Sequence, residues 1–148
     1  METQFIVAIS VIGGVLCLLL VLSFVFKSVR NKLESYIQKR FDKNEIIGAT
    51  TRANFFGEKS KGGKQIRGNG ALVLTKDQLV FIRAMPFKEY ILSIDSITQV
   101  SMPNSFNGKS VLSKLLCVHF NVEGAEDSIA WAIKNPEIWK DSIDALIN

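Results

Sequence analysis

From Phe5 to Phe26 the chain reads FIVAISVIGGVLCLLLVLSFVF, 22 residues without a charged side chain. As an α-helix rising about 1.5 Å per residue, this run is roughly 33 Å long, the thickness of one hydrocarbon core. Residues 1–26 are therefore read as a transmembrane anchor. A secretory signal peptide is the rival reading, but it needs a basic n-region, a shorter apolar run and a small-residue cleavage site. Here Glu2 is the only charged residue before the run, and the exit is Ser-Phe-Val-Phe-Lys. An uncleaved anchor is expected.

Lys27, Arg30, Lys32, Lys39 and Arg40 follow the span, and no Lys or Arg precedes it. The positive-inside bias then puts the N-terminus outside and the remainder in the cytoplasm. Cys17 falls within the apolar run and Cys117 in a predicted strand, so no disulfide framework is expected. Charge is concentrated close to the anchor: residues 27–67 hold eleven basic and four acidic side chains, whereas residues 68–148 carry a net −2. An anionic leaflet attracts such a segment by about 1 kcal/mol per basic residue held at its surface, within a Debye length of roughly 8 Å. Positive-inside topology with solubility is the plainer reading of the same charges.

Residues 27–44, KSVRNKLESYIQKRFDKN, lack Gly and Pro and place Val29, Leu33, Tyr36, Ile37 and Phe41 on one helical stripe. This basic juxtamembrane helix has three outcomes open to it: lying on headgroups, packing on the domain that follows, or pairing with a second copy. The Gly13-Gly14 pair lacks the spacing of a close-packing GxxxG helix motif.

From about residue 45 the periodicity becomes that of strands. IIGATTRANFFG, NGALVLTKD, QLVFIRAM, EYILSI, ITQVSM, LLCVHFNV and SIAWAIK predict seven strands, with turns at Thr-Lys-Asp-Gln, Met-Pro-Phe-Lys and Glu-Gly-Ala-Glu-Asp. A Gly/Ser/Lys-containing loop is expected after Pro103-Asn104. The end reads as a helix, with Asn135 as cap, Pro136 in its first turn, and Trp139, Ile143, Leu146 and Ile147 as its buried stripe. Seven antiparallel strands in a bent sandwich or barrel, closed at one mouth by that helix, make a mainly β domain over residues 45–148. Trp131 and Trp139 fall on inward stripes and are expected in its core.

The phrases GALVLTKDQLVFIRA, EYILSIDSITQV and WAIKNPEIWKDSI, with this order of elements, resemble the pleckstrin-homology (PH) superfold, most closely its GRAM and bacterial PH-like branches. The resemblance covers roughly residues 45–148 and leaves the anchor and basic stalk outside. It implies a module that binds lipid headgroups or proteins. In lipid-binding members the loop between the first two strands holds phosphates, which here points to Lys59, Lys61, Lys64 and Arg67, with Gly62, Gly63 and Gly68 letting backbone amides approach an anion. The spacing Lys64-Gln65-Ile66-Arg67 departs from the phosphoinositide signature by one residue. Taken by itself, EKSKGGKQIRGNG at 58–70 is a basic, Gly-rich connection between strands, joined by Arg52 if that residue points the same way. It reads as a solvated turn, an anionic membrane contact or a ligand pocket.

Other chemistry is sparse. His119, the only histidine, has no ligand partners at metal spacing, and Cys117 adds only a second group on the same strand face. Asp77, Asp95, Glu126 and Asp127 fall at turns, where carboxylates bond backbone amides. No nucleotide loop, nucleophile elbow or metal motif is present, and the aromatics follow core periodicity rather than forming a nucleic-acid platform. The expectation is a non-enzymatic, single-pass membrane protein without cofactor, metal or nucleic-acid partner, whose cytoplasmic module binds anionic headgroups or a protein. A scaffold subunit of a membrane complex is the alternative.

Overall fold

The computed structural model describes residues 2–148; Met1, the first residue of the expected anchor, lies outside them. The chain forms two compact units, residues 1–32 and 33–148. In the first unit, helix α1 (Glu2–Arg40) begins, and every residue from Val11 to Phe26 is exposed. This helix is long and apolar enough to cross a membrane. Its bare apolar surface is what a lipid-facing span requires.

The second unit holds the last residues of α1, from Leu33 on, and the β domain. That domain comprises β1 (Gly48–Glu58), β2 (Gly68–Leu74), β3 (Gln78–Ala84), β4 (Phe87–Ser93), β5 (Ile97–Ser101), β6 (Ser105–Phe106), β7 (Lys109–Ser110), β8 (Leu116–Val122), β9 (Ala125–Ala132) and α2 (Pro136–Ile147). Seven strands pair antiparallel, the number that alternation predicted, in the order β4-β3-β2-β1-β9-β8-β5. β1 bends the sheet: it pairs with β2 from Gly48 to Phe55 and with β9 from Asn54 to Glu58, with an irregularity in each register. The concave face encloses Phe55, Leu72, Leu74, Leu79, Phe81, Val118, Ile129 and Trp131, and α2 closes it by burying Ile143. Gly70 is required where β2 crosses β3, because a Cβ there would lie 2.2 Å from the Ile82 carbonyl oxygen.

Three expectations change. The 27–44 helix stops at Arg40, with the Phe41 amide bonded to the Ile37 carbonyl, and residues 42–45 turn. Its stripe packs on its own domain: Leu33, Ile37 and Phe41 are buried, Tyr36 Oη donates to Glu89 Oε1 at 2.8 Å, and the Tyr36 ring meets Phe87 edge-on at 5.2 Å. On the convex face Ala71, Val73, Val80 and Ile82 are fully buried too, on the side where Glu89, the cross-strand partner of Ile82, meets Tyr36 of α1. Second, the loop after Pro103 contains the β6–β7 ribbon, with Asn107 and Gly108 in left-handed conformations at its turn. Third, Asn135 does not cap α2 with its side chain. It too is left-handed (φ 53°), and its carbonyl instead accepts from the Ile138 amide at 3.2 Å.

Candidate functional site

The β1–β2 loop, residues 59–67, is built against its surroundings rather than left to solvent. At Gly57, φ is +132°, and a Cβ there would come within 3.0 Å of Gln65 Nε2, so the chain can turn only with glycine. Lys59 N donates to the Ser128 carbonyl (2.8 Å), Lys61 N to that of Glu58 (3.3 Å) and Gly62 N to that of Lys59 (3.1 Å). Ser60 N and Oγ both donate to the Asp127 carboxylate, at 3.0 and 2.5 Å. The amides from Lys59 to Gly62 are thus consumed internally, which takes Gly62 out of the three glycines expected to let amides approach an anion.

The basic side chains do not line one cavity. Lys59, Lys61, Lys64 and Arg67 are all exposed. Lys61 pairs with Glu58 at 2.5 Å and lies 6.0 Å from the Tyr90 ring, which Lys88 of β4 approaches to 4.8 Å. Tyr90 packs on the concave core, whereas Arg67 stacks 4.0 Å above Phe56, which belongs to the cluster on the convex face. Arg52 lies elsewhere, lining a groove of about 340 Å³ with Glu34, Ile37 and Gln38. Of the juxtamembrane bases, Arg40 lies 4.0 Å from Glu89 and 5.1 Å over the Phe41 ring, Lys39 is exposed, and in the first unit Arg30 Nε donates to the Phe26 carbonyl while Lys27 and Lys32 are exposed.

Two residues that charge counting passed over complete the surface. Arg83 on β3 donates from Nε to the Met85 carbonyl (3.2 Å) and from Nη2 to the Ile66 carbonyl (3.4 Å), tying the β3–β4 turn to the β1–β2 loop. Ile66 is 77 % exposed, Met85 75 %, and nearby Phe87 59 %. Arg83 thus links the backbones of two residues whose apolar side chains are exposed, one in the basic loop and one in the β3–β4 turn. Ile66 within a basic loop was the visible cue; its proximity to Met85 was not.

Around His119 the polar groups bond one another. Ser101 Oγ lies 2.9 Å from His119 Nε2, and burial pushes the Cys117 thiol pKa up, against the nearby Ser101 and Ser128 hydroxyls and Lys59. Among the described residues, no group of three His, Cys, Asp or Glu side chains could hold a metal. A pocket of about 260 Å³ is lined by Lys59, Ser60, His119, Glu126, Asp127 and Ser128, so an anion there would face two carboxylates. Burial raises the Asp127 pKa, but hydrogen bonds from Ser60 and from the Ser128 and Ser60 amides, with Lys61 nearby, outweigh it and hold the value below the ordinary one. A depressed carboxyl stabilises the fold above the unfolded pKa of about 3.9 and loses that contribution as pH falls through the folded value. Hydrogen exchange at Ser60 N, corrected for its intrinsic rate, should accelerate below about pH 4. Asp127→Asn should lack this acid step; an unchanged profile in the variant would assign the step elsewhere.

A bent seven-stranded antiparallel sheet closed by a C-terminal helix, with a basic loop between its first two strands, defines a PH-like module. The Vps36 N-terminal PH domain superposes on it with TM-score 0.51, over 72 % of this chain and 82 % of that one, at 15 % identity, a likeness of fold. The hSac2 domain of the human phosphoinositide phosphatase Sac2 aligns over 78 % and 75 % at 15 % identity, but its TM-score of 0.43 is too low to add to that. No protein-family model and no curated protein matches the chain.

Proposed function

We propose that this chain is a single-pass membrane protein whose PH-like module, on the cytoplasmic side, binds anionic lipid headgroups without catalysis. The carrying observation is the basic β1–β2 loop, whose exposed Ile66 is tied through Arg83 to the turn that exposes Met85. Such side chains bury apolar area among the acyl chains while the cations remain at headgroup level. Binding is by charge and insertion rather than by a stereospecific pocket, because the amides of Lys59 to Gly62 are taken up within the domain and the basic residues face different sides. The orientation rests on the bases after the span, and the GRAM-like branch on the sequence phrases alone. The non-catalytic role rests on the sequence, which carries no nucleotide loop, nucleophile elbow or metal motif.

Residues 33–148, freed of the span, should sediment with phosphatidylserine-rich vesicles at low salt and not with neutral ones. Reversing Lys59, Lys61 and Lys64 to Glu removes about 1 kcal/mol of attraction per site and adds repulsion, so affinity should fall by on the order of 100-fold or more. Ile66→Ser should weaken binding by about tenfold or more while leaving the salt dependence intact, since it removes apolar burial and no charge. Failure of the unmodified fragment to bind at low salt would remove the lipid reading. The groove between Ala49–Arg52 of β1 and Glu34–Gln38 of α1 favours the second reading, a scaffold that seats a partner segment. Under that reading, a protein co-purifies with the full chain from detergent.

A further inference from the structure

The donors that restrain the β1–β2 loop come largely from outside its basic residues. Asn107 Nδ2, at the turn of the β6–β7 ribbon, donates to the carbonyls of Glu58 (2.9 Å) and Gly62 (3.4 Å). Gln65 Nε2 grips the same two carbonyls at 2.6 and 2.8 Å, while its Oε1 accepts from the Glu58 amide at 3.0 Å. Lys109 Nζ, on the other arm of the ribbon, donates to the Gln65 carbonyl at 2.6 Å. The fit is close: a Cβ on Gly63 would lie 3.0 Å from the Asn107 carbonyl oxygen. The ribbon in turn is fixed by Phe106, buried with Phe56, Leu115, Cys117 and Ala130 on the convex face. A mechanical chain therefore runs from an apolar anchor, through two polar side chains, to a loop whose Gly62-Gly63 pair would otherwise leave it mobile.

We infer that Asn107 and Lys109 are positioning residues that pre-set the loop, presenting Lys64, Ile66 and Arg67 to an anionic lipid surface in one arrangement. The inference rests on the lipid-binding reading above. A loop ordered in advance loses little conformational freedom on contact, so its few cations and one apolar tip bind more tightly than the same residues on a free tether. The ribbon needs no lipid contact of its own to set that affinity.

The test uses the full chain reconstituted in nanodiscs of phosphatidylcholine or of phosphatidylserine-rich lipid, read by hydrogen exchange across residues 59–67. Asn107→Gly keeps the left-handed turn (φ 50°) and deletes the carboxamide together with its methylene. Gln65→Met removes the neighbouring donor without adding charge. In neutral discs both variants should exchange about tenfold faster over the loop, the change expected from losing one or two ordinary hydrogen bonds. The extra protection that the unmodified protein gains in anionic discs should shrink by about fivefold or more, with thermal unfolding unchanged, a pattern that a general loss of stability would not give. Loop exchange that stays at the unmodified rate overturns the clamp. Faster exchange with lipid-induced protection intact overturns its link to binding, and unfolding of both variants makes the contacts structural and ends the proposal. If the unmodified protein shows no difference between the two lipids, the lipid reading itself fails and this inference with it, even where the variants still loosen the loop.

Discussion

Trp131→Ala should destabilise the β domain by about 3–5 kcal/mol, a large share of a small domain's stability. Trp131 is 1 % exposed and its ring lies 5.9 Å from that of Phe81, which in turn stacks on Phe55 at 5.6 Å. Removing the indole empties the place where the two arms of the bent sheet meet, and a β scaffold cannot collapse into that volume without breaking its ladders. One term opposes the loss: Trp131 Nε1 is buried without a hydrogen-bond partner, which costs about 1–3 kcal/mol and makes the larger values less favoured. Trp131→Phe, which removes that N–H with the outer ring, should therefore lose less than half as much. Trp139 remains as the sole tryptophan to report denaturant unfolding of the full chain in detergent. An unfolding midpoint equal to that of the unmodified protein would place Trp131 outside the core.

Ile37→Ala should weaken the same domain by roughly 2–5 kcal/mol from a position that sequence assigns to the stalk. Ile37 is 6 % exposed, between Leu33 and Phe41 on the stripe that covers the convex face of β2 and β3. Losing it loosens a helix end otherwise held by the Tyr36–Glu89 hydrogen bond and the Tyr36–Phe87 contact. Val73, Val80 and Ile82 would then meet water, so hydrogen exchange in β2 and β3 should rise, dye binding should appear, and proteases should cut between residues 41 and 47. Membrane integration, which depends on the apolar span, should be unaffected. Unaltered stability and exchange would mean that the stalk is only a tether.

The strands were legible because apolar residues repeat along them and turn residues separate them; Thr75, for example, closes its hairpin through hydrogen bonds with Gln78. Burial of both faces at 71–74 and 79–82 was less so. Those segments are near-continuous apolar runs, and their second cover arrives from a helix some forty residues earlier in the chain. The β6–β7 ribbon has strands too short for any periodic signal, and only the Asn107-Gly108 pair, a familiar hairpin dipeptide, marks it. For the candidate site, the number and identity of the bases could be counted. How they are arranged could not, because Arg83 and Lys109, which hold the loop, reach it from other strands.

Local composition was enough for an apolar helix of spanning length, the seven strands and the excess of positive charge that follows, since apolar length, alternation and charge are properties of neighbouring residues. The hydrogen bonds that hold the loop, the use of its first four amides, the Arg83 link between Ile66 and Met85, and which of its open outcomes the 27–44 stripe takes came only with the folded chain. Each depends on groups distant in sequence meeting within a few ångströms, and no local pattern encodes that distance.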